Sequence, residues 1–350
     1  MNVKNIETVN PASYAQFLGH LKKNIQDAQL RAALSITEEL TDLYWKIGQM
    51  LSEKISLEFW GSKTIEKIAR DLKKSFPDAS GFSHRNLKFM RQFAESYPEG
   101  IRETAVSLIP WGHNIMIMQK IENQNDKKWY AEQSLKNGWS RSMLSKWIDS
   151  NLHKRQGKAI TNFKKTLPKS QSDLAIQVMK DPYNFDFVAL SKDYREKELE
   201  QGLIDHIQKL LVELGQGFAF VGRQVKLNIE ESEHILDLLF YHLKLRRYIV
   251  IEIKAREFNP RDVSQTNFYL SAVDDQLRHP EDRPSIGMIF CQTKKNITVE
   301  YALRDFNKPI GVAHYEVGLI EEIETELKRN LPTIEELEAE LEDKKCSVQS

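Results

Sequence analysis

The chain contains 350 residues with 50 Lys and Arg against 50 Asp and Glu, so its net charge of zero shows no overall excess typical of nucleic-acid binders or acidic tail proteins. Its 41% hydrophobic and 29% charged residues exclude disordered and fibrous classes and suit about two globular domains, while two cysteines exclude a disulfide framework and a cysteine-based zinc site. No apolar run approaches the roughly 18–20 residues of a membrane span, and the first ten residues lack the features of a signal peptide, so we expect a cytoplasmic protein without a membrane partner.

Helical periodicity dominates the first part of the chain. Apolar residues recur at helical spacing over 32–51, and the segment 62–76 forms a second amphipathic pattern. The turn residues DASG then lead to Ser83, a favourable N-cap for a helix over 84–97. A helix, a short turn and a capped helix are the outline of a helix-turn-helix. Further helices are predicted over 113–136 and 140–152.

The helix that follows Ser83 carries a basic face. Arg85, Lys88 and Arg91 recur at intervals of three, and apolar residues occupy the opposite face. A recognition helix needs such a face, because its cations contact phosphates and its Arg or Gln side chains read base edges. A solvated face that serves solubility is the alternative. Residues 1–170 contain 27 Lys and Arg against 17 Asp and Glu, and this excess of ten predicts salt-sensitive DNA binding by this part of the chain.

Residues 151–170 contain six basic and no acidic residues, and helical periodicity fades there. We interpret this segment as the domain junction, either a solvated linker or a basic strap that lies along phosphates. The predicted division is a helical domain over 1–165, a second domain over 172–318 and an acidic helical tail over 319–350. Residues 316–350 contain 11 acidic and 4 basic residues, which supply most of the acidic excess of the second half.

The second half of the chain alternates strands with helices. A helix over 191–214 is followed by three strands, a helix, a strand, a short helix and a final strand. The strand segments are 217–229, 234–242, 247–255, 285–293 and 310–317, and the later helices are 260–278 and 298–306. The predicted order is therefore αβββαβαβ, and the fold class is a two-domain α+β protein with an all-α N-terminal domain and an α/β second domain.

Two carboxylates stand inside apolar strands, where an isolated buried charge is costly. Asp237 lies in the segment HILDLLFYH and Glu252 in the segment RYIVIEIKA. Side chains alternate along a strand, so Glu252 and Lys254 share a face, and a hairpin would bring Asp237 beside Glu252. Each carboxylate alone would suit an ion pair or an edge strand. Together with Lys254 they supply what phosphodiester hydrolysis needs, which is a pair of ligands for a hard cation and a positive group that orients water or offsets developing charge.

This D-x14-E-x-K arrangement of Asp237, Glu252 and Lys254 resembles the PD-(D/E)XK nuclease superfamily. The predicted αβββαβαβ order also matches the restriction-endonuclease-like core of that superfamily. Leu236 stands where the motif usually has Pro, a replacement that the superfamily tolerates. The resemblance implies that Asp237 and Glu252 bind a metal ion and that Lys254 takes part in catalysis.

The resemblance also assigns roles to residues of two helices. The helix ahead of the strands often contributes a glutamate in such folds, which implies a catalytic role for Glu200, with Glu198 as the second choice. A solvated helix charge is the alternative for either residue. Gln265 and Tyr269 form the Q-x3-Y pattern of the RecB-like branch, which implies positions near the substrate and the active-site lysine. On composition alone, the two would be a surface and a core residue.

Longer stretches resemble the YhcG family of bacterial PD-(D/E)XK proteins over nearly the whole chain. They include GFAFVGRQ, DLLFYH and KPIGVAHY in the second domain, and LYWKIGQML and GFSHRNLKFMRQF in the first. The resemblance implies a Mg²⁺-dependent endonuclease acting on DNA, with Mn²⁺ as a second suitable ion and a winged-helix-like N-terminal domain that binds DNA. The alternative is a catalytically silent DNA-binding or assembly module of a DNA-processing or defence system.

A homodimer would supply the second catalytic centre that cutting both strands requires. The apolar residues of segment 320–343 suggest pairing with another chain or docking onto their own domain.

Overall fold

The computed structural model describes residues 11–58, 62–79 and 81–320, and the chain divides into two compact units, Met1–His153 and Lys154–Ser350. The tail predicted over 319–350 lies outside the described residues from 321 onward. In the described part of the first unit the helices are α1 (Pro11–Glu58), α2 (Ser62–Ser75), α3 (His84–Ser96), α4 (Ala105–Leu108), α5 (Trp111–Lys120), α6 (Gln124–Asn137) and α7 (Arg141–Asp149), and α8 (Leu152–Arg155) crosses the boundary.

The core of the first unit forms where α2 and α3 pack on the C-terminal part of α1. Tyr44 of α1, Ile65 of α2 and Met90 of α3 are buried together. A Cβ atom at Gly48 would overlap the Met90 carbonyl oxygen, so this contact between α1 and α3 requires glycine. The predicted cap of α3 is present, because the Ser83 hydroxyl accepts a hydrogen bond from the backbone N–H of residue 86 at 3.2 Å.

The described part of the first unit differs from the prediction in its helix lengths and in having no wing. The helix predicted over 113–136 is divided into α5 and α6, because the Asn123 side chain accepts hydrogen bonds from the N–H groups of Asn125 and Asp126 and so caps a new helix. A winged helix requires a β-hairpin, and none of the described residues up to His153 forms a strand. Although α1 spans 48 residues, no helix among those described is long and apolar enough to cross a membrane.

The second unit combines strands with helices. Its strands are β1 (Ile160–Thr161), β2 (Tyr183–Leu190), β3 (Phe218–Ile229), β4 (Ser232–His242), β5 (Arg247–Glu257), β6 (Ile286–Thr293) and β7 (Ile310–Leu319). Its helices after α8 are α9 (Phe163–Thr166), α10 (Lys169–Val178), α11 (Glu196–Asp205), α12 (Ile207–Leu214), α13 (Pro260–Gln276) and α14 (Asn296–Leu303).

These strands form a mixed sheet with helices on both faces. The strand order is β1-β7-β6-β5-β4-β3, and β2 pairs with β7 off this path. Strands β3, β4 and β5 are antiparallel neighbours, whereas β5, β6 and β7 are parallel. Leu199 and Leu210 from α11 and α12 pack on one face, and Leu270 and Val273 from α13 pack on the other. Strand β5 therefore lies in the middle of the sheet, buried on both sides.

Several features of this unit were missing from the prediction, among them β1, α9 and α10. Strand β2 is an additional element that pairs in parallel with β7. The helix predicted over 191–214 is divided into α11 and α12 at His206, whose backbone leaves the helical region at φ −114° and ψ 36°.

From Lys154 onward, the basic segment 151–170 is part of the second unit rather than a linker ahead of it. Arg155 is buried and its Nη1 atom lies 2.6 Å from Oε1 of Glu213. Asn162 donates hydrogen bonds to two backbone carbonyls, and its own Oδ1 accepts the N–H of Ile310 at 2.8 Å.

With the boundary after His153, the first unit contains 21 Lys and Arg against 17 Asp and Glu, an excess of four rather than ten. The charge argument for DNA binding by the first unit is correspondingly weaker.

Candidate active site

The central feature of the second unit is a fork between β4 and β5. The two strands pair as far as Leu238 and Ile251, and the carboxylate of Asp237 then replaces a main-chain acceptor by taking the N–H of Ile253 at 2.8 Å. The Asp237 N–H lies 3.5 Å from Oε1 of Glu252. The fork therefore brings together the two carboxylates that the sequence analysis singled out.

Burial makes this pair of carboxylates reluctant to ionise. Glu252 is 1% exposed and Asp237 is half-buried. Burial raises the pKa of both carboxyl groups, and the negative charge of Asp237 raises the pKa of Glu252 further. A positive charge that enters the fork would relieve both effects.

Lys254 supplies one positive charge from the same face of β5. Its Nζ atom lies 3.2 Å from Oε2 of Glu252, and the side chain is buried. Burial alone would lower the pKa of Lys254, but the charges of Glu252 and Asp237 outweigh it and the pKa is raised. Lys254 is therefore an ammonium group held against the carboxylates.

Glu200 faces the fork from α11. It is 2% exposed, and its Oε2 atom accepts hydrogen bonds from Arg223 Nε at 3.2 Å and Gln224 Nε2 at 2.8 Å. The negative charge of Glu200 contributes to the raised pKa of Asp237. Glu198 instead is exposed and accepts the backbone N–H of Arg195 at 2.7 Å, which caps its own helix. Of the two candidates, only Glu200 lies with the other site residues.

Three residues near the fork were missed by the sequence analysis. Glu196 accepts the backbone N–H of Ala255 at 3.3 Å, and its charge also raises the pKa of Asp237. The sequence did indicate that Glu196 lies near Glu200, because it precedes Glu200 by four residues and so shares its helix face. Arg223 and Gln224 lie in the GFAFVGRQ stretch, but nothing in their local pattern indicates a bond to α11.

Gln265 and Tyr269 lie on α13. The buried Tyr269 hydroxyl donates to the Ile235 carbonyl at 2.9 Å and accepts from Gln265 Nε2 at 3.1 Å. Burial raises the pKa of Tyr269, and the charges of Glu252 and Asp237 add to this effect, so the ring lies within their electrostatic reach. Gln265 is exposed at the side of the site, held by Tyr269.

The donor set at the fork fits a hard divalent cation. When ionised, the four carboxylates at positions 196, 200, 237 and 252 exceed the two cations Lys254 and Arg223 by two charges. Over the described ranges, no three His, Cys, Asp or Glu side chains form a complete ligand group. Mg²⁺ needs no such group, because it commonly keeps several waters and binds one or two carboxylates together with substrate phosphates. Asp237 and Glu252 provide that minimum.

The basic face predicted on α3 belongs to the first unit. Arg85 and Lys88 are exposed, and the Arg85 guanidinium lies 5.4 Å from the centre of the Phe89 ring. Arg91 is half-buried and pairs with Glu95 at 3.3 Å, which partly neutralises it. The exposed cations of this face are therefore Arg85 and Lys88 rather than all three predicted residues.

Comparison with solved structures gives partial matches. A "crystal structure of a repair endonuclease from Pyrococcus abyssi" matches 36% of this chain and 49% of its own at 17% identity, with a TM-score of 0.25. The "Structure of EndoMS-dsDNA2 complex" matches 36% of this chain and 48% of its own at 14% identity, with a TM-score of 0.24. The chain thus spans about half the length of each of these structures.

Comparison of the sequence with known families covers both units. Residues 20–155 match the DUF1016 N-terminal domain, and residues 176–332 match the YhcG PDDEXK nuclease domain. The chain is similar to "Putative nuclease YhcG" of Escherichia coli (strain K12), with 26% identity over 93% of this chain and 96% of that protein. The fork of Asp237, Glu252 and Lys254 lies inside the matched region, so residues 176–332 form a YhcG-type PDDEXK nuclease domain, and the chain as a whole is similar to the YhcG family.

Proposed function

We propose that this protein is a DNA endonuclease that depends on Mg²⁺ or Mn²⁺. The observation that carries the proposal is the fork between β4 and β5, where two carboxylates of raised pKa meet a buried ammonium group. Such an arrangement lowers the free energy of unfolding, and groups with perturbed pKa values of this kind cluster at functional sites. Membership of a nuclease-domain family supports the same reaction.

In this proposal Asp237 and Glu252 hold the metal ion. The bound ion supplies a Lewis acid that polarises a phosphoryl oxygen and lowers the pKa of water. Lys254 stays protonated beside Glu252, where its ammonium group orients the attacking water or offsets charge that develops on the phosphate. Hydrogen bonds from Arg223 and Gln224 hold the Glu200 carboxylate in place. From this fixed position it can orient a water molecule or contribute to the metal site.

Residues around the fork and on α3 are proposed to contact DNA. Gln265 is exposed and anchored on Tyr269, so its free amide oxygen is available to the substrate near Lys254. In the first unit, Arg85 and Lys88 are exposed cations on one helix face, which suits phosphate contacts. Arg91 contributes less because Glu95 pairs with it.

The test is cleavage of linear, supercoiled, branched and single-stranded DNA by the full chain, with Mg²⁺, with Mn²⁺ and with a chelator. Asp237→Asn and Lys254→Ala should each lower the cleavage rate by about 100-fold or more, since each removes an electrostatic group of the reaction. Glu233→Gln is the matched control, because Glu233 is an exposed carboxylate on the same strand, β4.

Undiminished cleavage by the Lys254→Ala protein would contradict the proposed mechanism. Binding of DNA without scission of any substrate, by wild-type protein with either metal, would favour the silent binding or assembly module instead.

A further inference from the structure

Helix α1 exposes a long apolar stripe. Its 48 residues extend far beyond the part that packs on α3, and Ile25 and Ile36 are 57% and 71% exposed. The stripe consists of side chains that share one face of the helix at 100° per residue. Its members are Tyr14, Leu18, Leu21, Ile25, Ile36, Leu40, Leu43 and Ile47.

Most of this stripe is distinct from the face that α1 turns to its own core. Tyr44 and Leu51, which pack with α2 and α3, lie roughly 70–90° around the helix from it, and only Ile47 at the end of the stripe also packs partly on that core. Six of the eight members are more than 40% exposed: Tyr14, Leu21, Ile25, Ile36, Leu40 and Leu43. Several exposed apolar side chains on one helix face mark an interaction site.

Within residues 14–47 the spacing of the stripe reads the same in both directions, and the exposed Met50 and Leu57 continue the same face beyond this segment. Successive members are 4, 3, 4, 11, 4, 3 and 4 residues apart, and the midpoint lies between Leu30 and Arg31. Two copies of α1 running in opposite directions would therefore match Ile25 with Ile36, Leu21 with Leu40, Leu18 with Leu43 and Tyr14 with Ile47.

We propose that the α1 stripe binds the α1 stripe of a second copy of this chain in an antiparallel, two-fold symmetric pair. Closed two-fold contacts require a self-complementary surface, and the stripe is one. Between Ile25 and Ile36, the same face of the helix carries Gln29 and Ala32, which lie symmetrically about the midpoint. Where the axis crosses the pair, Ala32 of each copy would lie opposite Gln29 of the other, so the small side chain leaves room for the longer one.

The charge distribution along α1 favours the antiparallel direction. The first half of the helix carries Lys22, Lys23 and Arg31 against Asp27, whereas the second half, from residue 35, carries five acidic and two basic residues. An antiparallel pair places the basic half of one helix along the acidic half of the other. A parallel pair would align like charges.

The contact area suits a small interface. Complete burial of an apolar side chain, worth about 1.5–3 kcal/mol at 25 cal/mol per Å², removes about 60–120 Å² from water. The stripe side chains are already about half covered by their own chain, so the members from both copies can bury about 500–1,000 Å². This area lies below the standard range of about 1,200–2,000 Å² and predicts a dimer that dissociates on dilution.

The first test is the molar mass of the full chain in solution, by light scattering over a range of concentrations. The wild-type chain should be a dimer and Ile36→Glu a monomer, while Gln16→Glu, which adds the same charge on the opposite exposed face of α1, should remain a dimer. Because Ile36 is exposed, circular dichroism and thermal unfolding should show a folded variant. A monomeric wild-type chain, or a dimeric Ile36→Glu chain, would overturn the proposal. Leu337 belongs to the apolar pattern of segment 320–343, the other segment predicted to pair, and a dimer dissociated by Leu337→Glu but not by Ile36→Glu would also overturn it.

The second test fixes the direction of pairing by disulfide formation in a Cys346→Ser background. Ile25→Cys combined with Ile36→Cys should give a covalent dimer on mild oxidation, because antiparallel pairing places these residues opposite each other. Ile36→Cys alone should not, since its two copies would lie about 16 Å apart along the axis, beyond the roughly 7 Å limit for a disulfide. Cross-linking of the single variant would show parallel pairing and overturn the proposed arrangement.

Discussion

The substitution Glu252→Gln is expected to raise the stability of the metal-free protein at neutral pH while it removes cleavage. Glutamine has nearly the shape of glutamate, and its amide oxygen can accept the hydrogen bond that Lys254 donates. The amide carries no charge, so the repulsion between Glu252 and Asp237 disappears along with the cost of burying the anion. A residue required for activity would then be one that weakens the fold.

The size of this gain follows from the raised pKa of Glu252. As pH rises above the ordinary pKa of glutamate, the unfolded chain releases a proton that the folded chain still holds. The contribution of Glu252 to the stability of the wild-type protein is therefore largest at acid pH, and it falls by up to about 1.4 kcal/mol for each pH unit until the raised pKa is reached. Between about pH 5 and about pH 7 the variant should gain up to about 3 kcal/mol over the wild type, or about 5–10 °C in Tm for a domain of this size.

The assay is thermal and urea unfolding of both proteins in a chelator, at a series of pH values. Glu257→Gln is the control, because Glu257 ends the same strand with an exposed side chain paired to Lys295, and its removal should change stability by less than about 0.5 kcal/mol. Adding Mg²⁺ should stabilise the wild type more than Glu252→Gln, because binding to the native state adds free energy. The reasoning would be refuted if Glu252→Gln were no more stable than the wild type at neutral pH, or if the difference in stability between the two proteins were the same at every pH.

Three further substitutions test other parts of the molecule. Glu200→Gln should lower the cleavage rate by about 10–100-fold without unfolding the protein, which the DNA assay and circular dichroism together measure; an unchanged rate would remove Glu200 from the site. Arg155→Met should destabilise the second unit by about 3–5 kcal/mol in urea unfolding, because Glu213 would be left buried without its partner; a loss under about 1 kcal/mol would contradict this. Lys88→Glu should weaken DNA binding for all sequences and should reduce the slope of log affinity against log salt concentration by about 1 or more. Lys128→Glu, at another exposed lysine, should have neither effect. Equal effects of the two substitutions would contradict DNA binding by α3.

The strands that form the site were predictable because their signals are local. Each of β4 and β5 contains an apolar run interrupted by one acidic residue, Asp237 or Glu252, and a short turn between them indicates a hairpin. The side-chain alternation of a strand then places Glu252 and Lys254 on one face without any knowledge of the rest of the fold. Asp237 could be placed beside these two residues because the hairpin register, continued by one residue, sets it opposite Glu252.

Features that depend on distant partners were not predictable in this way. Strand β2 is held by pairing with β7, more than a hundred residues later in the chain. The choice between Glu198 and Glu200 depends on which carboxylate caps the helix and which reaches Arg223 on β3. The position of the unit boundary depends on Arg155, whose partner Glu213 lies 58 residues away. Local periodicity carries no information about any of these contacts.

The hairpin geometry also separates two spacings that look equivalent in the D-x14-E-x-K pattern. The single residue between Glu252 and Lys254 is fixed, because changing it would turn one side chain to the other face of the sheet. The fourteen residues between Asp237 and Glu252 instead measure the length of two hairpin arms and the turn at 243–246, which follows the last strand pair of His242 and Arg247. That distance can change with the length of the arms or of the turn, although Leu245 packs this turn into the core of the second unit. Relatives are best sought with the E-x-K spacing held constant and the distance to the aspartate left free.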